Sequence, residues 1–190
     1  MNTQLILIRH ADSPYIEHAE RTRGLSARGT QDAQQVMAVL QHEPVHGFVS
    51  SPYARAVDTI RPLAQQRGKD ITLIEDLRER KIGQLEQRSF HAAKQAVYMD
   101  YTLKLPEGES SAEAQARAVD AMEQVLQQYE GQTVAAGTHG DIMTLMMNKW
   151  DSRYDYSFWL STTMPDIYKL TFAAGRLTDV QRLWSAQHTT

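Results

Sequence analysis

The stretch LILIRHADS, which runs from Leu5 to Ser13, decides the fold. Its first four residues form a continuous apolar run rather than an alternating one, which is typical of a parallel strand buried on both faces. The run ends directly on two basic side chains, Arg9 and His10. Because ligands of open α/β sheets bind beyond the carboxyl ends of the strands, this placement predicts a functional site at the end of the first strand.

Short apolar runs and longer amphipathic stretches alternate along the rest of the chain. The apolar runs predict strands at Leu5–Ile8, Gly47–Ser51, Ile71–Glu75 and Thr133–Thr138. Helical spacing predicts helices that begin at the cap residue Ser26, after Pro52, at Ser111 (ending near Tyr129) and after Thr138. A terminal hairpin is expected from DIYKLTF and LTDVQRLW. This alternation predicts an α/β fold, a three-layer sandwich with a mostly parallel sheet between helices.

Two stretches interrupt this regular pattern. Pro62 lies inside the second helical pattern and is expected to kink or shorten that helix. Residues 84–110 are the least regular part of the chain, and we expect them to form a small cap around a short helix from Phe90 to Met99. The length of 190 residues predicts a single domain that spans residues 1–190.

Composition excludes several classes of protein. The 20 Lys and Arg residues against 23 Asp and Glu residues give a net charge of −3, which offers no surface for nucleic acid. The absence of cysteine excludes disulfide frameworks and thiolate metal sites. No apolar run approaches a membrane span and the N-terminus lacks a signal peptide, so a cytoplasmic protein is expected. The sequence leaves monomer and homodimer open. Five histidines without a surrounding motif are expected at the surface: His18, His42, His46, His91 and His188.

Charged residues follow four of the predicted strands. They are Arg9 and His10, then Arg55, then Glu79, then His139. Since the carboxyl ends of parallel strands meet at one edge of a sheet, these side chains are expected to share one cleft. Two arginines present forked, permanently charged donors that suit a phosphate dianion. The cluster therefore predicts a phosphate site.

The same cluster offers the groups that phosphoryl transfer needs. A neutral imidazole is a nucleophile, and neighbouring arginines disfavour the imidazolium form of His10. A carboxyl group such as Glu79 can protonate a departing alcohol and later take a proton from water. His139, together with the start of the helix at Gly140, can donate hydrogen bonds to phosphoryl oxygens.

Five blocks in this sequence resemble the histidine phosphatase (phosphoglycerate mutase-like) superfamily. They are LIRHA, SSPYARAVDT, LRERKIG, PEGES with Arg117, and GTHGD, and they occur in family order over about residues 4 to 150. The resemblance implies that His10 is the phosphorylated nucleophile and Glu79 the proton donor and acceptor. It also implies that Arg9, Arg55 and His139 form the phosphate pocket, which Ser13 helps to line. Many relatives have an asparagine where this chain has Ile16.

These observations predict a metal-independent phosphomonoester hydrolase without a cofactor, acting on a small phosphorylated metabolite through a phosphohistidine intermediate. A phosphoglycerate mutase, a protein phosphohistidine phosphatase and a non-catalytic phosphate-binding module are the alternatives. Mutases of this kind carry a longer insertion than residues 84–110, and phosphohistidine phosphatases lack the acid matched by Glu79. A metal site of His10, His139, Asp12 and Asp141 is disfavoured, because cations flank His10 and no ligand pair has a tight spacing.

Overall fold

A six-stranded sheet forms the centre of the protein in the computed structural model, which describes residues 1–185. The strands are β1 (Asn2–Arg9), β2 (Gly47–Ser50), β3 (Ile71–Leu73), β4 (Thr133–Thr138), β5 (Asp166–Ala173) and β6 (Arg176–Arg182). Their order across the sheet is β3-β2-β4-β1-β5-β6. The first four are parallel, whereas β5 runs antiparallel to β1 and β6 antiparallel to β5. The mostly parallel sheet is therefore confirmed.

Helices cover both faces of the sheet. They are α1 (Ala27–Val39), α2 (Ala54–Gln66), α3 (Phe90–Met99), α4 (Ser111–Gln128), α5 (Gly140–Trp150) and α6 (Tyr156–Ser161). Leu5 and Leu7 of β1 belong to a core shared with α3, α4 and α5. Ile6 and Ile8 belong to a second core shared with α1 and α2. Successive residues of a strand face opposite sides, so a strand that is apolar throughout supplies both cores of the three-layer sandwich.

The observed elements differ from the predicted ones at several points, and β1 is longer than predicted, since it begins at Asn2 and ends at Arg9. Strand β3 ends at Leu73 rather than Glu75, because its partner β2 ends at Ser50, opposite Leu73. A short 3₁₀ turn over Glu75–Leu77 follows it. Helix α2 passes through Pro62 and continues to Gln66, so the proline does not shorten it. The buried side chains on both sides of Pro62 offset the hydrogen bond that a proline cannot make. Helix α6 was not predicted.

The structure locates four of the five histidines that were expected at the surface, and the short helix that was expected within residues 84–110. His18, His42, His46 and His91 are exposed, whereas His188 lies outside the described residues. Helix α3 has the bounds predicted for the short helix within residues 84–110. Within residues 1–185, no helix combines the length and apolar character needed to cross a membrane.

Helix α1 locks the backbone that follows the first strand. The Ser26 backbone N–H donates to the Asp12 carbonyl oxygen at 3.0 Å, and its hydroxyl donates to Asp12 Oδ2 at 2.6 Å. Gly29 packs so closely on this segment that a Cβ atom there would lie 2.1 Å from the same carbonyl oxygen. The first turn of α1 thus holds the residues directly after His10 in place.

We predict that Gly29→Ala destabilises the protein, although the same exchange in a free helix stabilises it by about 0.5–1 kcal/mol. The added methyl group meets backbone that cannot yield, and overpacking of this kind costs about 1–3 kcal/mol. Urea denaturation measures the loss. Gly24→Ala is the control, because the nearest atom to its Cβ would be 3.7 Å away, and its effect should stay within about 0.5 kcal/mol. An equally or more stable Gly29→Ala protein would contradict this account of α1.

Candidate active site

A cavity of about 1050 Å³ opens at the carboxyl ends of the parallel strands. Five of the predicted site residues line it: Arg9, His10, Ser13, Arg55 and Glu79. They come from the end of β1 and the loop after it, from the first turn of α2, and from the segment that follows the 3₁₀ turn in the chain. The topology therefore brings together residues that are up to 70 positions apart in the sequence.

His10 is buried and held in one tautomer. Its side chain is only 6% exposed, and Nδ1 lies 2.8 Å from the Ala11 carbonyl oxygen. Because a carbonyl can only accept, Nδ1 carries the proton and Nε2 keeps its lone pair. Burial, then the positive charge of Arg55, lower the pKa of His10 to about 3. The imidazole is therefore a neutral base and nucleophile over the whole physiological range.

Two arginines stand beside this imidazole, and both are constrained. Arg55 is 1% exposed, and its two Nη atoms donate to the carbonyl oxygen and to Oε1 of Glu20, each at 2.6 Å. Arg9 donates from Nη1 to Thr162 Oγ1 at 2.5 Å. The Nε atoms of both arginines are buried and have no acceptor within the described residues. Unpaired buried donors of this kind are costly, and a bound oxyanion offsets that cost.

His139 and Gly140 are buried next to the residues that line the cavity. The His139 ring is fully buried, with its centroid 5.3 Å from that of His10, and Nε2 lies 2.7 Å from Ser51 Oγ. Burial and the charge of Arg55 lower the pKa of His139 well below its usual value. Gly140 supports Arg9, because a Cβ atom there would lie 2.9 Å from the guanidinium carbon. Gly140 thus leaves room for Arg9, and the His139 ring lies against that of His10.

Backbone N–H groups at the start of α5, where donors to a phosphate were expected, donate hydrogen bonds to Glu79. The Ile142 and Asp141 N–H groups in the first turn of α5 donate to its carboxylate at 3.1 and 3.3 Å. The Arg80 N–H donates to Oε1 at 2.9 Å. Burial, followed by the negative charge of Asp141, raises the pKa of Glu79. Glu79 is therefore fixed in position and takes up a proton more readily than an exposed glutamate.

Two site residues were missed because no motif covers the loop between Ser13 and Ser26. Arg23 donates to Ser13 Oγ at 2.7 Å, and Glu20 bridges Arg23 and Arg55. Both line the cavity. Ser13 also donates to the Gly24 carbonyl oxygen at 2.7 Å, so its hydroxyl closes this loop. A run of charged residues just before a helix cap was the only available signal.

The carboxylates of the alternative metal site are already engaged. Asp12 accepts from Ser26, and Asp141 accepts from Arg80 and Lys94. Among the residues that the structure describes, no group of three or more His, Asp or Glu side chains is arranged to hold a metal ion. The cavity instead combines a neutral imidazole, permanent cations and a carboxyl group with a raised pKa, which is the equipment for transfer of an anionic group.

Comparison with known proteins agrees with this geometry. The chain resembles "Probable phosphoglycerate mutase GpmB" of Salmonella arizonae, with 29% identity over 151 residues that cover 72% of this chain and 69% of the relative. A relative of the same name from Escherichia fergusonii matches equally well.

Solved structures show the same fold at low identity. A phosphoserine phosphatase mutant from Entamoeba histolytica, in complex with phosphoserine, superposes with a TM-score of 0.77 at 21% identity, over 99% of this chain and 100% of that one. A mycobacterial glucosyl-3-phosphoglycerate phosphatase with inorganic phosphate superposes with a TM-score of 0.75 at 20% identity, over 98% and 99% of the two chains. The sequence profile of the histidine phosphatase superfamily (branch 1) matches residues 5–181. The chain therefore belongs to the histidine phosphatase superfamily.

Proposed function

We propose that the protein hydrolyses small phosphomonoesters through a phosphohistidine formed on His10, without a metal or cofactor. The observation that carries this proposal is the neutral His10 imidazole, which is buried beside Arg9 and Arg55 in a cavity that it shares with Glu79. The low pKa of His10 keeps its imidazole neutral, and the raised pKa of Glu79 favours the protonated carboxyl that the first chemical step requires. Phosphoryl transfer depends mostly on positioning and charge, and this pocket supplies both.

The reaction has two steps. In the first, His10 Nε2 attacks phosphorus, the bond from phosphorus to the ester oxygen breaks, and protonated Glu79 gives its proton to the departing alcohol. In the second, the Glu79 carboxylate takes a proton from water while the water oxygen attacks phosphorus. The bond from phosphorus to nitrogen then breaks. Inorganic phosphate leaves, and His10 and Glu79 return to their starting protonation states.

Phosphoglycerate mutation is the second candidate, because curated relatives carry that name. A mutase returns the phosphoryl group to the molecule that gave it and must exclude water from the phosphohistidine. The stretch from residue 84 to residue 110 contributes one helix of ten residues, which favours access of water. Release of phosphate from 3-phosphoglycerate supports hydrolysis, whereas conversion into 2-phosphoglycerate supports the mutase.

The first test is phosphate release from a panel of phosphomonoesters in the presence of a chelator. We expect turnover by the wild type and a loss of at least about 10³-fold in His10→Ala, as is usual when a covalent nucleophile is removed. His42→Ala is the control, because this histidine is exposed. If His10→Ala keeps near wild-type turnover, the mechanism is wrong. If the wild type binds phosphate, releases none from any ester and does not interconvert the phosphoglycerates, the result supports a binding module.

Arg55→Ala should lower kcat/KM about 10²-fold, because loss of one preorganised donor to an oxyanion costs about 3 kcal/mol of barrier. Arg61→Ala is the matched control. Arg61 lies on the same helix, is exposed and pairs with Asp58 at 2.9 Å. Steady-state kinetics on one ester measures both variants. Similar losses in the two variants would show that Arg55 acts on helix stability rather than on the phosphoryl group.

The dependence of kcat/KM on pH should report Glu79. The acid step needs the protonated carboxyl, so the rate should fall as the pH rises through the raised pKa of Glu79. Protonation of His10 is not expected to lower kcat/KM at any pH above about 3. In kcat/KM, which reports the steps up to formation of the phosphohistidine, Glu79→Gln should lose about 10²–10⁴-fold on an alkyl phosphate but far less on p-nitrophenyl phosphate, whose leaving group needs no proton.

Glu107→Gln is the control for this prediction, since Glu107 is an exposed glutamate at the rim of the same cavity. It should keep both the alkaline limb and the ratio of the two substrates. An equal loss of both substrates in Glu79→Gln would remove Glu79 from the role of general acid.

A further inference from the structure

A buried cluster of charges adjoins Glu79 and has no part in the reaction as written above. Its centre is the Asp141 carboxylate, which is 0% exposed. Arg80 donates to Asp141 Oδ2 from Nε at 3.1 Å and from Nη2 at 2.9 Å, and the Lys94 ammonium group contacts the same oxygen. The Tyr98 hydroxyl donates to Oδ1 at 3.2 Å. Two buried cations thus converge on one carboxylate.

Glu79 has different hydrogen-bond partners from Asp141, although it lies beside the same cations. Among the described residues its carboxylate accepts from three backbone N–H groups and forms no salt bridge. One of those donors is the N–H group of Asp141 itself. The charge of Lys94 nevertheless acts on Glu79, since it lowers the pKa of that carboxyl while Asp141 raises it. A general acid that paired with an ammonium group would hold its proton poorly.

We propose that Asp141 is a positioning residue whose carboxylate holds Lys94 and Arg80 away from Glu79, so that Glu79 is free to carry the proton it delivers to the leaving group. This inference rests on the proposed function. It assigns the two buried carboxylates different tasks: Asp141 stays ionised and binds the cations, and Glu79 exchanges protons.

Lys94 is the cation that is able to move. Arg80 is fixed a second time by its Nη1 donor to Ser111 Oγ at 2.7 Å. Lys94 reaches Asp141 from the cap helix α3 on a flexible stem, and its ammonium group lies 5.2 Å from the ring centre of Phe90 and 5.5 Å from that of Trp159. It also lines the cavity. Without Asp141, Lys94 loses its carboxylate partner, while its charge already acts on Glu79.

Several titratable and charged groups of the described residues act on Glu79 and bear on any pH measurement. They are Arg9 from β1, Tyr53 directly before α2, Arg55 from α2, Arg80 from the adjoining backbone, Lys94 and Tyr98 from α3, and Asp141 from α5. The arginines and the tyrosines keep one charge state over the accessible pH range. Asp141 is the negative member, because Lys94 and Arg80 outweigh its burial and hold its pKa below the usual value.

The test compares Asp141→Asn with the double variant Asp141→Asn/Lys94→Met. Asparagine keeps the backbone donor to Glu79 but releases Lys94. We expect the alkaline limb of kcat/KM to move down by about 1 pH unit, because Glu79 loses the negative charge of Asp141 and faces a Lys94 cation without its partner. An alkyl phosphate should then lose about 10-fold above that limb, while p-nitrophenyl phosphate changes little. Removal of the cation in the double variant should restore both the limb and the substrate ratio.

Rescue by a second substitution separates positioning from a structural role, because a packing defect would deepen in the double variant. An active wild type whose limb does not move in Asp141→Asn, or a double variant no better than the single one, overturns the inference alone. A wild type inactive on every ester overturns the proposed function and the inference together. If Asp141→Asn does not fold, Lys94→Met decides, since its limb should stay or rise and a fall would overturn the proposal.

Discussion

Burial of His10 beside permanently charged arginines forces its imidazole to stay neutral, and the rest of the site follows from that. A buried imidazolium would face both the loss of hydration and repulsion from Arg55 and Arg9. The fold makes this environment possible by ending β1, a strand apolar on both faces, directly before His10. The same strand that supplies both hydrophobic cores therefore delivers a histidine to a position where charging it is unfavourable.

Two buried carboxylates, Glu79 and Asp141, lie at this edge of the sheet, and their surroundings shift their pKa values in opposite directions. Glu79 is surrounded by backbone donors, which orient it without fixing its charge by an ion pair. Asp141, two residues after His139, is surrounded by cations, which lower its pKa. Pairs of titratable groups whose environments push their pKa values apart are typical of sites that run acid and base chemistry near neutrality. Glu79 and Asp141 form such a pair, because the first turn of α5 contains Asp141 and also donates hydrogen bonds to Glu79.

Local patterns in the sequence were sufficient for the parallel part of the fold. Strand β4 and helix α3 have the predicted bounds, because continuous apolar runs and helical spacing are local signals. The place of the hairpin beside β1 depends on long-range pairing, which no local pattern encodes. At the site, strand-end residues were found from topology, whereas the full burial of His139, with its ring centre 5.3 Å from that of His10, was not foreseen. The depth of a side chain depends on packing from other elements, so it is not readable from strand ends alone.

Arg9 differs from most other cations around the cavity, because it has no carboxylate partner among the described residues. Most cations on the wall already have carboxylate partners: Arg55 and Arg23 share Glu20, Lys94 and Arg80 share Asp141, and Arg21 pairs with Glu75. Within residues 1–185, Arg9 donates to a threonine hydroxyl and forms no salt bridge. Burial lowers its pKa, which measures the unfavourable free energy of an uncompensated charge. An anion bound beside Arg9 would offset that cost, which agrees with the proposal that a phosphoryl group binds next to His10.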